Sequence, residues 1–435
     1  MVFIRTRKAK LLDIRLISLR IYQKLISGNF SNEFDNITDS QNKAFCKRLV
    51  LTALRKHEFL RKIINNYSSK PLPQKLNFSQ LCTFLGATEI LFFNTPEYAA
   101  VNCYVSLAKK DNKFSGGFVN AILRKVCQNK ELITQQTDIF FPKSFRLLLQ
   151  KDYTKSQIDA IEKASSHEPP LDITVKDNPA YWAEKLNGTL MPNGSIRIFS
   201  AGNIAELPGY EQGNWWVQDF SSSLAIQTLQ ELKNKKVLEL CSAPGGKTAQ
   251  LLSRGANVTS IEISQSRINT MQKNLQRLNL KPEKVICADA IKFLQTDSSL
   301  YDIITIDAPC SATGTLRRHP EIVLTRTQKD VIQNQNTQKA MLEAASSRLL
   351  NGGILLYSVC SLSKNEGEEQ IKNFLKDHQN FKILPINFSK LSKSSQTELK
   401  ILLTDEGFIR CLPYHFEEIG GIDGFFAAQL QKEIL

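Results

Sequence analysis

The stretch VLELCSAPGGKTAQLLSRGANVTSIEI, residues 237–263, decides the fold. VLELC (237–241) is an apolar run of strand length, TAQLLSR (248–254) has helical spacing, and VTSIEI (258–263) is again a strand. The alternation continues downstream. Residues 266–278 are helical in spacing, VICADA (285–290) and YDIITIDAP (301–309) are strands, and 328–350 is a long helix. GILLYSVCSL (353–362) is a further strand and 366–377 a further helix. Strands separated by single helices imply a parallel, doubly wound sheet. Ligands of such sheets sit at the carboxyl ends of the strands.

Upstream the pattern changes twice. Residues 146–230 carry the alternating run LDITVK after His167-Glu168-Pro169-Pro170, with turns at Asn193-Gly194 and Pro208-Gly209. This reads as a small α/β linker subdomain. Residues 1–145 read as all-helical: Ile14, Leu16, Ile17, Ile21 and Leu25, then Phe45, Leu49, Leu51 and Leu54, fall at helical spacing. Gly28-Asn29, Lys70–Pro73 and Ser115–Gly117 punctuate that pattern as turns. The fold class expected is α+α/β: a helical domain (1–145), a linker subdomain (146–230) and a Rossmann-like domain (231–435).

Charge separates these parts. The chain of 435 residues has a net charge of +14. Residues 1–150 hold 24 Lys and Arg against 10 Asp and Glu, while residues 151–435 hold 32 of each. The whole surplus lies in the N-terminal third, where a polyanion would bind by phosphate neutralisation and counterion release. A solvated basic face is the plainer reading of the same block. No apolar run is long enough to span a membrane, and the N-terminal MVFIRTRKAKLLDIRL has no apolar core of a secretory signal. The nine cysteines form no CxxC pair and only five histidines are present. Neither a disulfide framework nor a metal site is expected, and the cytoplasm is the expected location.

Four strand ends carry candidate chemistry. Cys241-Ser242-Ala243-Pro244-Gly245-Gly246-Lys247 follows a strand and opens a helix. Its glycines admit close backbone approach and the helix N-terminus supplies free N–H donors. GxxxxGK[ST] is absent, which disfavours a triphosphate. Glu262 closes the next strand, where a carboxylate can accept from both hydroxyls of a ribose; alone it also reads as a helix N-terminal charge. Asp289 follows, within reach of an adenine amine or serving as an N-cap. The last two are Asp307-Ala308-Pro309-Cys310-Ser311 and Ser358-Val359-Cys360-Ser361. Buried cysteines are usually inert filler, but two at strand ends beside a nucleoside-binding loop suggest an activated thiolate. Arg317 and Arg318, just past the first cysteine, read either as phosphate contacts or as solvated loop charges.

LELCSAPGGKTAQL, ITIDAPCSATGTLRRHPEI, LLYSVCSLSKNEGEEQI and IDGFFAAQL together resemble the Sun/Fmu-type RNA cytosine-C5 methyltransferases. The resemblance covers residues 237–435 with specific motifs. It extends more loosely over 1–145, where it implies a NusB-like helical RNA-binding domain. It implies S-adenosylmethionine (S-adenosyl-L-methionine) as methyl donor, held by Cys241, Ser242, Ala243, Pro244, Gly245, Gly246 and Lys247 together with Glu262, Asp289 and Asp307. It implies Cys360 as nucleophile and Cys310 as the cysteine that aids product release. Two positions depart from the family pattern: Glu262 stands where Asp is usual, and Val359 precedes the nucleophile where Thr is usual.

The chemistry accounts for these groups. Cytosine C5 is a poor nucleophile, and a thiolate adding to C6 makes it enamine-like. Asp307 can serve the pyrimidine N3/N4 edge or the donor, so it stands among the catalytic candidates with Cys360 and Cys310. The target base must leave its stack to enter the pocket. The resemblance implies 16S ribosomal RNA as substrate, with transfer RNA or 23S RNA as the alternative for the same chemistry. A non-catalytic ribosome-assembly factor is the non-enzymatic alternative, and the presence of both cysteines speaks against it. A monomer with no membrane partner is expected.

Overall fold

The computed structural model describes residues 2–29, 33–136 and 140–434. It divides into two compact units, Met1–Leu147 with His319–Arg326, and Leu148–Arg318 with Thr327–Leu435.

The first unit is helical, as its apolar spacing implies. Its helices are α1 (Val2–Ile26), α2 (Ser40–Arg55), α3 (His57–Tyr67), α4 (Phe78–Phe92), α5 (Glu97–Asp111), α6 (Ser115–Gln128) and α7 (Lys130–Thr134). Helix α4 is the axis of the unit. An Asn77–Gln80 capping box starts it, and every residue from Leu81 to Leu91 is buried. Its one buried acid, Glu89, accepts from Arg15 (Nε, 2.9 Å) and from the Tyr104 hydroxyl (3.0 Å), so the charge is paired rather than stranded. Ser115–Gly117 is not a turn but the first turn of α6. A Cβ on Gly116 would lie 2.6 Å from the Lys109 side chain, so glycine there lets α6 start close under α5.

Helix α8 (Lys143–Leu149) spans the division between the units, and the first whole helix of the second unit is α9 (Lys155–Ser165). Then come β1 (Leu171–Val175), α10 (Pro179–Lys185), β2 (Thr189–Leu190), β3 (Ile196–Ile198) and β4 (Trp215–Val217). These four strands make an antiparallel sheet in the order β2-β3-β1-β4 over a core of Ile173, Trp182, Ile196 and Trp215. Helix α11 (Phe220–Gln227) leads into the large sheet.

The large sheet follows the expected alternation closely. It runs β5 (Lys236–Leu240), α12 (Gly246–Ser253), β6 (Asn257–Glu262), α13 (Gln265–Arg277), β7 (Lys284–Cys287), α14 (Ala290–Thr296) and β8 (Tyr301–Asp307). After the short α15 (Ile322–Thr325), which belongs to the first unit, come α16 (Gln328–Ser346), β9 (Leu349–Val359), α17 (Glu368–Asp377), β10 (Phe381–Ile383), α18 (Lys393–Leu399), β11 (Ile409–Cys411) and β12 (Phe425–Lys432). The order is β10-β12-β9-β8-β5-β6-β7, with β11 on β12. Strands β9, β8, β5, β6 and β7 are parallel, whereas β12 is antiparallel to β9, β10 and β11. The sheet is therefore mixed and not wholly parallel. Strand order reverses between β5 and β8, which opens the crevice at their carboxyl ends. No helix among the described residues is long and apolar enough to cross a membrane.

Candidate active site

The turn after β5 has the shape its sequence implies. Cys241 is left-handed at φ 61°, and Gly245, at φ 98°, precedes the first turn of α12. A Cβ on Gly245 would lie 2.9 Å from Met271, so this glycine answers both to its backbone and to close packing on α13. Gly246 is under no such constraint; its nearest neighbour would be 3.6 Å away. The Ser242 amide donates to the Ile261 carbonyl at 3.1 Å, which ties the turn to β6.

The three strand-end acids differ in state. Glu262 is almost fully buried: its carboxylate accepts from the Ala243 amide (3.3 Å) and the Ser264 amide (3.1 Å), and pairs with Arg267 (3.1 Å). Asp289 caps α14 by accepting from the Lys292 amide at 3.0 Å, the role its position also allowed. Asp307 lies across the switch point from α12. It accepts from Lys247 Nζ at 2.7 Å and from the Ser358 hydroxyl at 3.2 Å. Burial, with Asp307 and Glu262 nearby, pushes the Cys241 thiol up to about 12, so that thiol stays protonated.

The two cysteines after β8 and β9 meet. Their sulfurs lie 3.4 Å apart, and both side chains are half-buried. Hydrogen bonding with Cys360, together with burial, pushes the Cys310 thiol well above its ordinary range. The loops carrying them are laced together. The Gly314 amide donates to the Cys360 carbonyl (2.9 Å), and the Leu362 amide donates to the Thr313 hydroxyl (2.9 Å). Glu366, at the start of the segment 366–377 expected to be helical and not among the candidate site residues, is fully buried beside both loops.

Arg317 and Arg318 require a correction. Neither is a free phosphate contact and neither is a solvated loop charge. Arg317 is 2% exposed and lies 3.9 Å from Asp423. Arg318 is paired with Asp423 (2.7 Å) and Asp219 (2.9 Å). Arg317 is buried, and Arg318, though part-exposed, has its guanidinium engaged by two carboxylates; both hold the segment that leads into β12. Among the described residues no cluster of His, Cys, Asp and Glu is arranged to hold a metal ion.

The comparisons bear on family and fold. Residues 226–431 match the family model described as 16S rRNA methyltransferase RsmB/F, and residues 12–128 match the NusB family. A ribosomal RNA small subunit methyltransferase B of Enterobacter sp. (strain 638) is 30% identical over 416 residues, covering 90% of this chain and 91% of its own. Its counterpart from Photorhabdus laumondii is 29% identical, covering 91% and 92%. The solved structure "Crystal Structure of PH0851" superposes with a TM-score of 0.72 over 95% of this chain and 98% of its own, at 18% identity, and so supports the fold. NSun6 from Pyrococcus horikoshii does so with a TM-score of 0.53 over 68% of this chain and 99% of its own, at 20% identity. With relatives at this identity matched along nine-tenths of their length, the chain belongs to the RsmB/F methyltransferase family, and it is an S-adenosylmethionine-dependent RNA methyltransferase with a NusB-like helical domain.

Proposed function

We propose that this protein methylates C5 of a cytosine in 16S ribosomal RNA through a covalent Cys360–C6 adduct. The observation that carries the proposal is the pair of sulfurs 3.4 Å apart at the ends of adjacent parallel strands, next to Asp307. A lone strand-end cysteine could be filler; two that share a hydrogen bond can divide attack and release between them.

The donor set fits S-adenosylmethionine. Ribose hydroxyls, an exocyclic amine and an ammonium are all hydrogen-bond donors, and Glu262, Asp289 and Asp307 present carboxylates at the ends of β6, β7 and β8. The turn from Cys241 to Lys247 lies beside them. Arg267, whose side chain is half exposed, is the partner of Glu262 that a ribose would replace. Bound there, S-adenosylmethionine supplies an electrophilic methyl group.

The remaining steps belong to the chain. The Cys360 sulfur adds to C6 and shifts the C5–C6 π pair toward C5. After methylation the C5 proton leaves to a base, its electron pair restores the double bond, and the S–C6 bond breaks. Cys310 holds its proton in the resting pair, so it can hydrogen-bond to the departing Cys360 thiolate and assist elimination. Asp307, held by Lys247 and Ser358, orients the donor side of the same pocket. The helical unit, with the basic surplus, docks RNA from the cytoplasm and supplies the salt-sensitive part of binding.

The test is methyl transfer from labelled S-adenosylmethionine to unmodified 16S RNA and to transfer RNA, followed by nucleoside analysis. Label as 5-methylcytosine in 16S RNA is the expected result. Label only in transfer RNA would overturn the substrate, and label in another nucleoside would overturn the chemistry.

A further inference from the structure

One carboxylate touches the residue that follows each of the two cysteines. Glu366 Oε1 accepts from the Ser311 amide at 2.8 Å and from Gln338 Nε2 at 3.2 Å. Its Oε2 accepts from the Ser311 hydroxyl and from the Ser361 hydroxyl, each at 2.5 Å. Glu366 is itself held from behind, because the Tyr357 hydroxyl donates to its carbonyl at 2.7 Å. Gln338 also donates to the Pro309 carbonyl (2.9 Å), so both sides of Cys310 are gripped. The side chain is 0% exposed and faces protein donors, not the crevice. Such a group, with four donors on its two oxygens, is a rigid bridge rather than a solvated charge.

We propose that Glu366 is a positioning residue that sets the separation of the Cys310 and Cys360 sulfurs by anchoring Ser311 and Ser361 to one carboxylate. Chain connectivity alone cannot do this, since the two cysteines are fifty residues apart and lie on loops after different strands. The covalent route needs one sulfur to attack C6 and the other to meet it on departure. A displacement of about 1 Å in such a pair costs on the order of a hundredfold in turnover. The proposal rests on the two-cysteine reading given above.

Glu366→Gln and Glu366→Ala separate positioning from bulk. A Gln can still accept from the Ser311 amide with its oxygen and turn its NH2 to the two serine hydroxyls, which can accept; an Ala loses every side-chain contact and keeps only the backbone bond from Tyr357. The expected result is a kcat lowered about a hundredfold in Glu366→Ala, recovered to within about tenfold of wild type in Glu366→Gln, with KM for RNA and donor changed less than about threefold. Ser361→Ala, which deletes one arm only, keeps the question open should Glu366→Ala not fold. Its kcat loss combined with Glu366→Gln should be far from additive, because both act through one bridge. Additive losses, or a loss confined to KM, would overturn the proposal.

A second readout needs no RNA. A trivalent monosubstituted arsenical condenses with two adjacent thiols, forming two As–S bonds and releasing water, so its capture reports the sulfur pair directly. Wild-type protein should bind phenylarsine oxide in a way that Cys310→Ser abolishes, and Glu366→Ala should weaken capture at least about tenfold. Unchanged capture in a folded Glu366→Ala would overturn the positioning role. Failure of the methylation chemistry with capture behaving as expected would instead leave Glu366 as the anchor of a dithiol whose use was misassigned.

Discussion

Gly314 and Gly424 meet backbone to backbone: the Gly424 amide donates to the Gly314 carbonyl at 2.7 Å, and a Cβ on Gly314 would fall 1.9 Å from the Gly424 carbonyl oxygen. This contact joins the loop after β8, which carries Cys310, to the segment entering β12. The same Gly314 amide donates to the Cys360 carbonyl, so one residue couples both cysteine loops to a third segment.

Gly314→Ala is expected to destabilise the protein by about 3 kcal/mol, toward the upper end of overpacking costs, and to lower methyl transfer more than tenfold. Gly246→Ala, with ordinary spacing around the added methyl and no left-handed backbone, should change stability by less than about 1 kcal/mol. Chemical denaturation of the two variants makes the comparison. Equal costs would show that the close approach at Gly314 is not real.

Arg318→Ala should behave as a structural loss. Removing it leaves Asp423 and Asp219 without their shared cation, at a cost of about 3 kcal/mol in stability. The slope of RNA affinity against salt should not change, whereas loss of a phosphate contact lowers that slope by about 1. A reduced slope with unchanged stability would restore Arg318 as an RNA contact.

The helical unit should carry the salt-sensitive binding. Lys110 and Lys113 are exposed at the end of α5 and in the loop before α6. Lys110→Glu with Lys113→Glu should weaken RNA binding at least about tenfold near 0.1 M salt, with the difference shrinking as salt rises. Unchanged affinity would remove this face from the RNA surface.

Glu239 gives a pH signature. Burial pushes its carboxyl up to about 7, against hydrogen bonds from Thr248 (2.6 Å) and Ser260 (3.0 Å) that favour the charged form. A carboxyl raised on folding favours the folded state at low pH. That contribution is complete below its unfolded value and is lost as pH rises through about 7. Relative to wild type, Glu239→Gln should therefore gain about 3 kcal/mol between pH 4.5 and 7.5. A stability difference that stays flat with pH would mean that the carboxyl is not raised.

Much of this was legible in sequence because it is local. Strand β5 is a short run bounded by a turn, and its predicted limits differ from the observed ones by one residue. The two Cys-Ser dipeptides follow β8 and β9, the strands that the apolar runs marked. Strand β9 begins at Leu349, earlier than the expected 353, because α16 ends at Ser346 and not at 350, and the strand passes through Gly352 at φ 77°. What failed was non-local. Arg318 finds its carboxylates 99 and 105 residues away, and no window of sequence reports such a pairing. Glu366 sits in SKNEGEEQ, which has the composition of a solvated helix start, and only the fold turns its carboxylate inward. The antiparallel placement of β12 between β9 and β10 is likewise a matter of topology, invisible to periodicity.

The covalent route is tested most directly by trapping. Labelled 16S RNA is incubated with S-adenosylmethionine and Cys310→Ala, and the products are run on a denaturing gel. The account predicts a protein–RNA band that survives denaturation, accumulates because release is impaired, and vanishes in Cys310→Ala with Cys360→Ala. A band that persists without Cys360 would contradict the account, as would full turnover by Cys360→Ala alone.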